Sequence, residues 1–160
     1  MERHKVYVES STISFLTARP SQNVILRAKQ ELTHAWWEMR NRFDMFISNS
    51  VIEEISEGDP EAAEARLQIA EGISVLARDE AVIPLGQILL RTGAVPQKSE
   101  ADAVHIAYSA VFGMDFLVTW NQKHIATDAR RRLIEAVLID SGFRLPRLLT
   151  PEQHLLAMED

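Results

Sequence analysis

Cysteine is absent from the 160 residues, which excludes a disulfide framework and any thiolate metal site. No apolar run approaches the roughly 18 residues that a membrane-spanning helix requires. Glycine and proline number only six each. No Gly/Ser tract, internal repeat or low-complexity segment interrupts the chain, so a single domain over residues 1–160 is expected. The opening stretch MERHKVYVE carries charge but lacks the apolar core of a signal peptide, so a cytoplasmic protein is expected. Positive charge is short as well: 17 Lys and Arg stand against 23 Asp and Glu, a net charge of -6. With a pI of about 5.4, the chain has no broad basic surface to neutralise a phosphate backbone. A cation held in an acidic pocket would have to reverse the local charge before phosphate could approach.

What is present is an alternation of short apolar strands with helical segments. Residues 5–9 form a first strand that breaks at Glu9 into Ser10, Ser11 and Thr12, hydroxyls suited to a turn. Helical spacing over 23–42 places Val24, Ile25, Ala28, Leu32, Ala35 and Trp36 along one side. DMFIS (44–48) is a second strand and VIEEI (51–55) a short helix directly after it. Asp59-Pro60 starts the next helix, with Asp as N-cap and Pro at the first helical position. ISVLA (73–77) is a third strand, followed by a helix over about 79–92 with Pro84 in or near its first turn. Lys98-Ser99 opens the very apolar helix EADAVHIAYSAVF, and DFLVTW (115–120) is the clearest strand. DARRRLIEAVLIDSG is an amphipathic helix, PRLLT an edge strand, and Thr150-Pro151-Glu152-Gln153 a capping-box start. Alternating strands and helices imply an α/β fold with a mainly parallel central sheet flanked by helices.

In such sheets ligands bind outside the carboxyl ends of the strands. Glu9 ends the first strand, Glu53 and Glu54 follow the second, and Thr119, Trp120 and Asn121 end the fourth; Asp102 begins the helix before that strand. Each has a plainer reading. Glu9 suits an exposed strand end, Glu53 and Glu54 a solvated helix face, Asn121 a turn, and Ser99-x-x-Asp102 a capping box. The helix carrying Asp102 is apolar almost all round, and its polar residues Asp102, His105 and Ser109 share one stripe. That stripe either meets solvent or lines a cleft. His4, His34, His105, His124 and His154 are scattered without an H-x-x-x-H pair, so no zinc site is expected. His105 and His124 are expected to pack or hydrogen-bond near the rim.

VYVESSTISFL, ISNSVIEEISEGDP and SEADAVHIAYSAVFGMDFLVTWNQKHI, in that order, resemble the PIN domain, specifically VapC-type toxins of toxin–antitoxin modules. The resemblance runs from about Val6 to the C-terminal LLTPEQ, and DAVHIA followed by LVTWNQKHI is its most specific part. It implies a metal-dependent ribonuclease whose acidic cluster is drawn from four places. Carried over, these are Glu9 with the small polar Ser11 two residues on, Glu54, Asp102, and Asn121, with Thr119 supporting. Two departures stand out: the first place is usually Asp, and the fourth is commonly Asp where this chain has Asn121. Three formal negative charges therefore stand where many relatives have four.

The implied cofactor is Mg²⁺ or Mn²⁺, for which one or two carboxylates plus substrate suffice. Glu9 and Asp102 would contact the ion, Glu54 would hold or activate a water, and Asn121 and Ser11 would orient the shell. Crowded carboxylates repel, so at least one pKa is expected to rise without metal. Candidate RNA contacts are Lys123, Arg130, Arg131 and Arg132, with Arg40 and Arg42. The resemblance further implies a small antitoxin partner encoded nearby and a homodimer, with Trp36-Trp37 as a candidate contact. A degenerate PIN domain that binds RNA or protein without cutting is the alternative. A receiver-like phosphorylated domain ranks last, because Glu9 stands alone after its strand and Asp102 lies in a helix.

Overall fold

The computed structural model describes residues 3–123, 125 and 127–159. His124, expected near the rim, lies outside the described residues. Among the described residues there are five strands, β1 (Lys5–Val8), β2 (Asp44–Ile47), β3 (Ser74–Val75), β4 (Phe116–Val118) and β5 (Arg147–Leu149), and runs of branched and aromatic side chains mark β1, β2 and β4. They form one sheet in the order β3-β2-β1-β4-β5, and every pairing is parallel. The central strands β1 and β4 are buried on both faces, as an all-parallel sheet covered by helices requires.

The helices are α1 (Ser10–Thr17), α2 (Val24–Glu38), α3 (Asn49–Ile55), α4 (Pro60–Ala70), α5 (Val82–Arg91), α6 (Glu100–Val111), α7 (Asp128–Asp140) and α8 (Pro151–Glu159). Several starts follow their sequence signals. Asp59 caps α4 by accepting from the Ala62 N–H (3.0 Å). Thr150 and Gln153 exchange side chain and backbone bonds at the start of α8, a reciprocal capping box. Pro84 falls in the first turn of α5, where its missing N–H costs no helical bond. Gly113, at a φ of 65°, ends α6 in the left-handed conformation that glycine adopts without strain.

Three expectations are corrected. Residues 10–17 are a two-turn helix rather than a turn, because the Glu9 carboxylate caps it and Thr12, Ile13 and Leu16 pack inward. The helix expected over 23–42 stops at Glu38 and continues as a single 3₁₀ turn, Arg40–Arg42. Its inward face is also different: Gln30, Thr33 and Trp36 are buried, while Val24 and Ile25 are 82% and 69% exposed. Gln30 turns inward because it ties down the preceding loop, accepting from Ser21 N–H (2.8 Å) and donating to the Arg19 carbonyl (2.9 Å).

Beneath the amino ends of the strands, His154 of α8 is fully buried among Trp36, Phe43 and Phe116. Its Nδ1 accepts from the Trp36 indole N–H (2.8 Å), which places the ring proton on Nε2. Among the described residues that Nε2 has no partner. Burial, with a smaller contribution from the charge of His4, lowers its pKa to about 4. None of the helices among the described residues is long and apolar enough to cross a membrane.

Candidate metal centre

The strand order reverses between β1 and β4: β1 leads outward through β2 to β3, and β4 leads the other way to β5. A crevice opens at such a switch point, outside the carboxyl ends of the two strands. Val8 and Val118 are register partners, so the residues that follow them, Glu9 and Thr119, meet at the mouth of that crevice.

Glu9 is buried, and three donors converge on its Oε1: the Ser11 N–H (3.0 Å), the Ser11 hydroxyl and the Thr119 hydroxyl (2.7 Å). The same bond from Ser11 caps α1, so the strand end, the helix start and the acid are one local structure. The two hydroxyls are themselves fixed. Ser11 Oγ accepts from the Trp120 N–H (3.0 Å), and Thr119 Oγ1 accepts from the Asn121 N–H (2.9 Å). Asn121 then reaches sideways, its Nδ2 donating to Asp102 Oδ1 (3.2 Å). A continuous chain of bonds thus joins Glu9 to Asp102 through Thr119 and Asn121.

Asp102 is buried in the first turn of α6, and Ser99 makes no side-chain capping bond there, which argues against the capping-box reading. The polar stripe of α6 faces inward: Asp102, His105 and Ser109 are all buried. Lys98, Ser99, Ala101, Asp102 and Asn121 line an open cleft of about 340 Å³.

Glu54 enters from α3. Its Oε1 accepts from the Ser10 hydroxyl and pairs with His105 Nε2 (2.8 Å). His105 Nδ1 lies 2.7 Å from the Tyr7 hydroxyl, which lies 2.7 Å from Ser48 Oγ. Glu53 is exposed and takes no part. Burial pushes the Glu54 carboxyl up, but the hydrogen bond and charge of His105, with the bond from Ser10, outweigh it and hold the pKa below the usual value. Burial opposes protonation of His105, yet its bond to Glu54 and the charges of Glu54, Glu9 and Asp102 raise its pKa. Burial raises the Tyr7 phenol well above its usual range, with Ser48 partly offsetting. The expected upward shift from crowded acids is therefore reversed at Glu54, because an imidazole sits beside it.

Ligand atoms of Glu9, Glu54 and His105 lie within 4.8 Å of one another. The two carboxylates and the imidazole are groups that could hold a metal ion. Every bond to the Glu9 and Glu54 side chains from described residues falls on Oε1, which leaves each acid an Oε2 to offer. His105 was not foreseen as part of this cluster; the polar stripe of α6 was its one sequence signal. Tyr7, Ser48, Ser10 and Lys98 also went unnoticed as neighbours of the acids.

The candidate cations disperse. Lys123 is exposed two residues beyond Asn121, on the rim. Arg130 donates to the Gly93 and Ala94 carbonyls and so fastens the turn that follows α5. Arg131 lines a separate cavity with Glu135 and Arg147 beside β5, and Arg132 is exposed on α7. Arg40 stacks on Trp37 (4.7 Å) and Arg42 donates to the Met158 carbonyl (3.2 Å). Both precede β2, at the end of the sheet opposite the crevice.

No family model and no curated protein matches the sequence. The fold does have a counterpart among solved structures, in the VapBC2 complex of Rickettsia felis bound to a DNA fragment from its promoter. The match spans 91% of this chain and 98% of that one, at a TM-score of 0.54 and 13% identity. The likeness is one of architecture: the five-stranded parallel sheet with its flanking helices matches the PIN domain of VapC.

Proposed function

We propose that the chain is a divalent-metal-dependent endoribonuclease that hydrolyses RNA phosphodiester bonds. The reading makes it the toxin of a toxin–antitoxin module, held in check in the cytoplasm by a small antitoxin encoded nearby and acting as a homodimer. The observation that carries it is the pair of buried-edge carboxylates, Glu9 and Glu54, each saturated on one oxygen and open on the other, at the switch point of a PIN-like sheet.

Glu9, Glu54 and Asp102 would hold Mg²⁺ or Mn²⁺, which when bound supplies charge neutralisation at the phosphate and acidifies water. Glu54, kept ionised by His105, orients an attacking water and accepts its proton as the water oxygen bonds to phosphorus and a phosphorus–oxygen bond of the backbone breaks. Thr119, Ser11 and Asn121 set the geometry: the two hydroxyls aim Glu9, and Asn121 aims Asp102. Lys98, in the cleft with Asp102, and Lys123 on the rim are the side chains best placed to meet the RNA backbone.

Purified protein should cleave single-stranded RNA with Mn²⁺ or Mg²⁺, and EDTA should abolish cleavage. Asp102→Asn should lower the rate at least a hundredfold, about 2.7 kcal/mol in activation free energy, with the fold intact by circular dichroism. Full activity in that variant would overturn the reading. A second reading, a degenerate PIN domain that binds RNA or protein without cutting, is favoured by Asn121, whose amide already occupies an oxygen of Asp102. Tight RNA binding with no metal-dependent cleavage would support it.

A further inference from the structure

Glu54 is half-buried near the end of a short helix, and nothing in its own sequence neighbourhood fixes its carboxylate. Its restraint comes from a closed circuit of side chains. Glu54 pairs with His105 of α6, His105 with Tyr7 of β1, and Tyr7 with Ser48. Ser48 is the N-cap of α3 and accepts from the Val51 N–H (3.4 Å), so the circuit returns to the helix that carries Glu54. Both ends of α3 are thereby tied to the sheet and to α6. Tyr7 and Ser48 are fully buried and His105 is 2% exposed, so solvent does not compete for these bonds.

The chemistry of the ring decides what His105 can do. Its Nε2 stands 2.8 Å from a carboxylate oxygen. Two lone pairs would repel at that distance, so Nε2 carries a proton and donates. A protonated nitrogen has no lone pair to offer a cation. We propose that His105, backed by Tyr7, is a positioning residue: it holds Glu54 Oε1 so that Oε2 faces Glu9 and the incoming cation, and it is not itself a ligand. The proposal rests on the acidic cluster being a metal site. Removing an outer-shell partner of this kind typically weakens metal affinity 10- to 100-fold.

The test is Mn²⁺ affinity, measured by calorimetry on the full chain, alongside RNA cleavage on the same samples. His105→Leu should weaken Mn²⁺ binding about tenfold or more. His105→Gln, whose amide N–H can donate to Glu54, should recover most of that loss. In a Glu54→Gln background, His105→Leu should change the remaining affinity less than twofold. Tyr7→Phe keeps the core packed and removes only the hydroxyl, so it should give a smaller loss of the same kind, and it carries the test if His105→Leu fails to fold. The proposal is overturned if His105→Leu, or Tyr7→Phe in its place, leaves the affinity unchanged. It is overturned equally if the loss persists undiminished in the Glu54→Gln background, which would make His105 a ligand, or if the wild type does not bind Mn²⁺. Mn²⁺ coupling without RNA cleavage would leave the clamp standing and refute the nuclease; cleavage with a His105-independent affinity would do the reverse.

Discussion

Replacing His154 by asparagine should remove a specific part of the protein's pH dependence. In the fold the ring is neutral and wholly buried, its Nδ1 accepts from Trp36, and its pKa is lowered from 6.5 to about 4 by burial and, less, by His4. A histidine held neutral contributes stability that is fully present above its unfolded pKa and is lost as pH falls from 6.5 through about 4. The full shift is worth about 3 kcal/mol, and by pH 5 about 2 kcal/mol of it should be gone. His105 works in the opposite sense, because its raised pKa contributes stability below 6.5 that declines as pH rises through the folded value. The wild-type curve alone mixes the two, so the comparison must be with the variant. Asparagine presents Oδ1 where the ring presents Nδ1, which keeps an acceptor for the Trp36 indole; it removes the titration and also the ring's packing on Phe43 and Phe116, so the variant is the less stable protein at pH 7.5. Urea unfolding of both proteins at pH 7.5 and pH 5 reads the effect: the stability gap should shrink by about 2 kcal/mol at the lower pH. A gap that is the same at both values would refute the reasoning.

Glu54→Gln should lower the metal-free melting temperature, since Glu54 pairs with His105, and should abolish most of the upward shift that Mn²⁺ produces by binding the folded state; an unchanged Mn²⁺ shift would mark Glu54 as ordinary surface charge. Asn121→Asp takes away a donor to Asp102 and puts a like charge in its place, so metal-free stability should fall while calorimetry shows tighter Mn²⁺ binding. Unaltered Mn²⁺ affinity would mean that Asn121 takes no part in holding the ion. Arg130→Ala should cost about 1 kcal/mol of stability by releasing the turn that follows α5, with RNA affinity unchanged in filter binding; a selective loss of RNA affinity would return Arg130 to the substrate surface.

The strands were legible wherever branched and aromatic residues ran together, as in β1, β2 and β4, and the capping signals at Asp59 and Thr150 meant what they usually mean. α1 was not legible because Ser10, Ser11 and Thr12 carry hydroxyls that normally compete with helix formation. The feature that overrides them is the carboxylate of Glu9, whose capping role is visible only once its position is known. α2 misled for the opposite reason: Val24 and Ile25 have the spacing of a buried face, but the first turn of the helix is exposed, and its inward face is set by Gln30, Thr33 and Trp36. At the site, residues next to strand ends could be placed from sequence, and Glu9, Thr119 and Asn121 do meet. The partnership of Tyr7 with His105 spans 98 residues and depends on how α6 packs over β1, which no local pattern encodes. Arg130 shows the same limit, since a charge on a helix face says nothing of the Gly93 and Ala94 carbonyls it reaches beyond the end of α5.

The seam between β1 and β4 also governs when the site can come into being. Glu9, Ser11, Glu54, Tyr7 and Ser48 all belong to the part of the chain that ends with β3, whereas Asp102, His105, Thr119 and Asn121 come after it. A ribosome that has delivered the first three strands has therefore made two of the acids and the hydroxyls of Ser10 and Ser11 that bond them, but not Thr119, Asn121 or His105. In that nascent piece β1 is an edge strand, its outer row of backbone groups unsatisfied until β4 slots in beside it. The ladder that joins β4 to β1 is what sets Thr119 beside Glu9, and His105 reaches Glu54 from α6, the helix just before β4. Assembly of the centre is thus delayed to the last third of synthesis. The loop between β3 and α5 is correspondingly the boundary between the part of the chain that carries Glu9 and Glu54 and the part that carries Asp102 and His105.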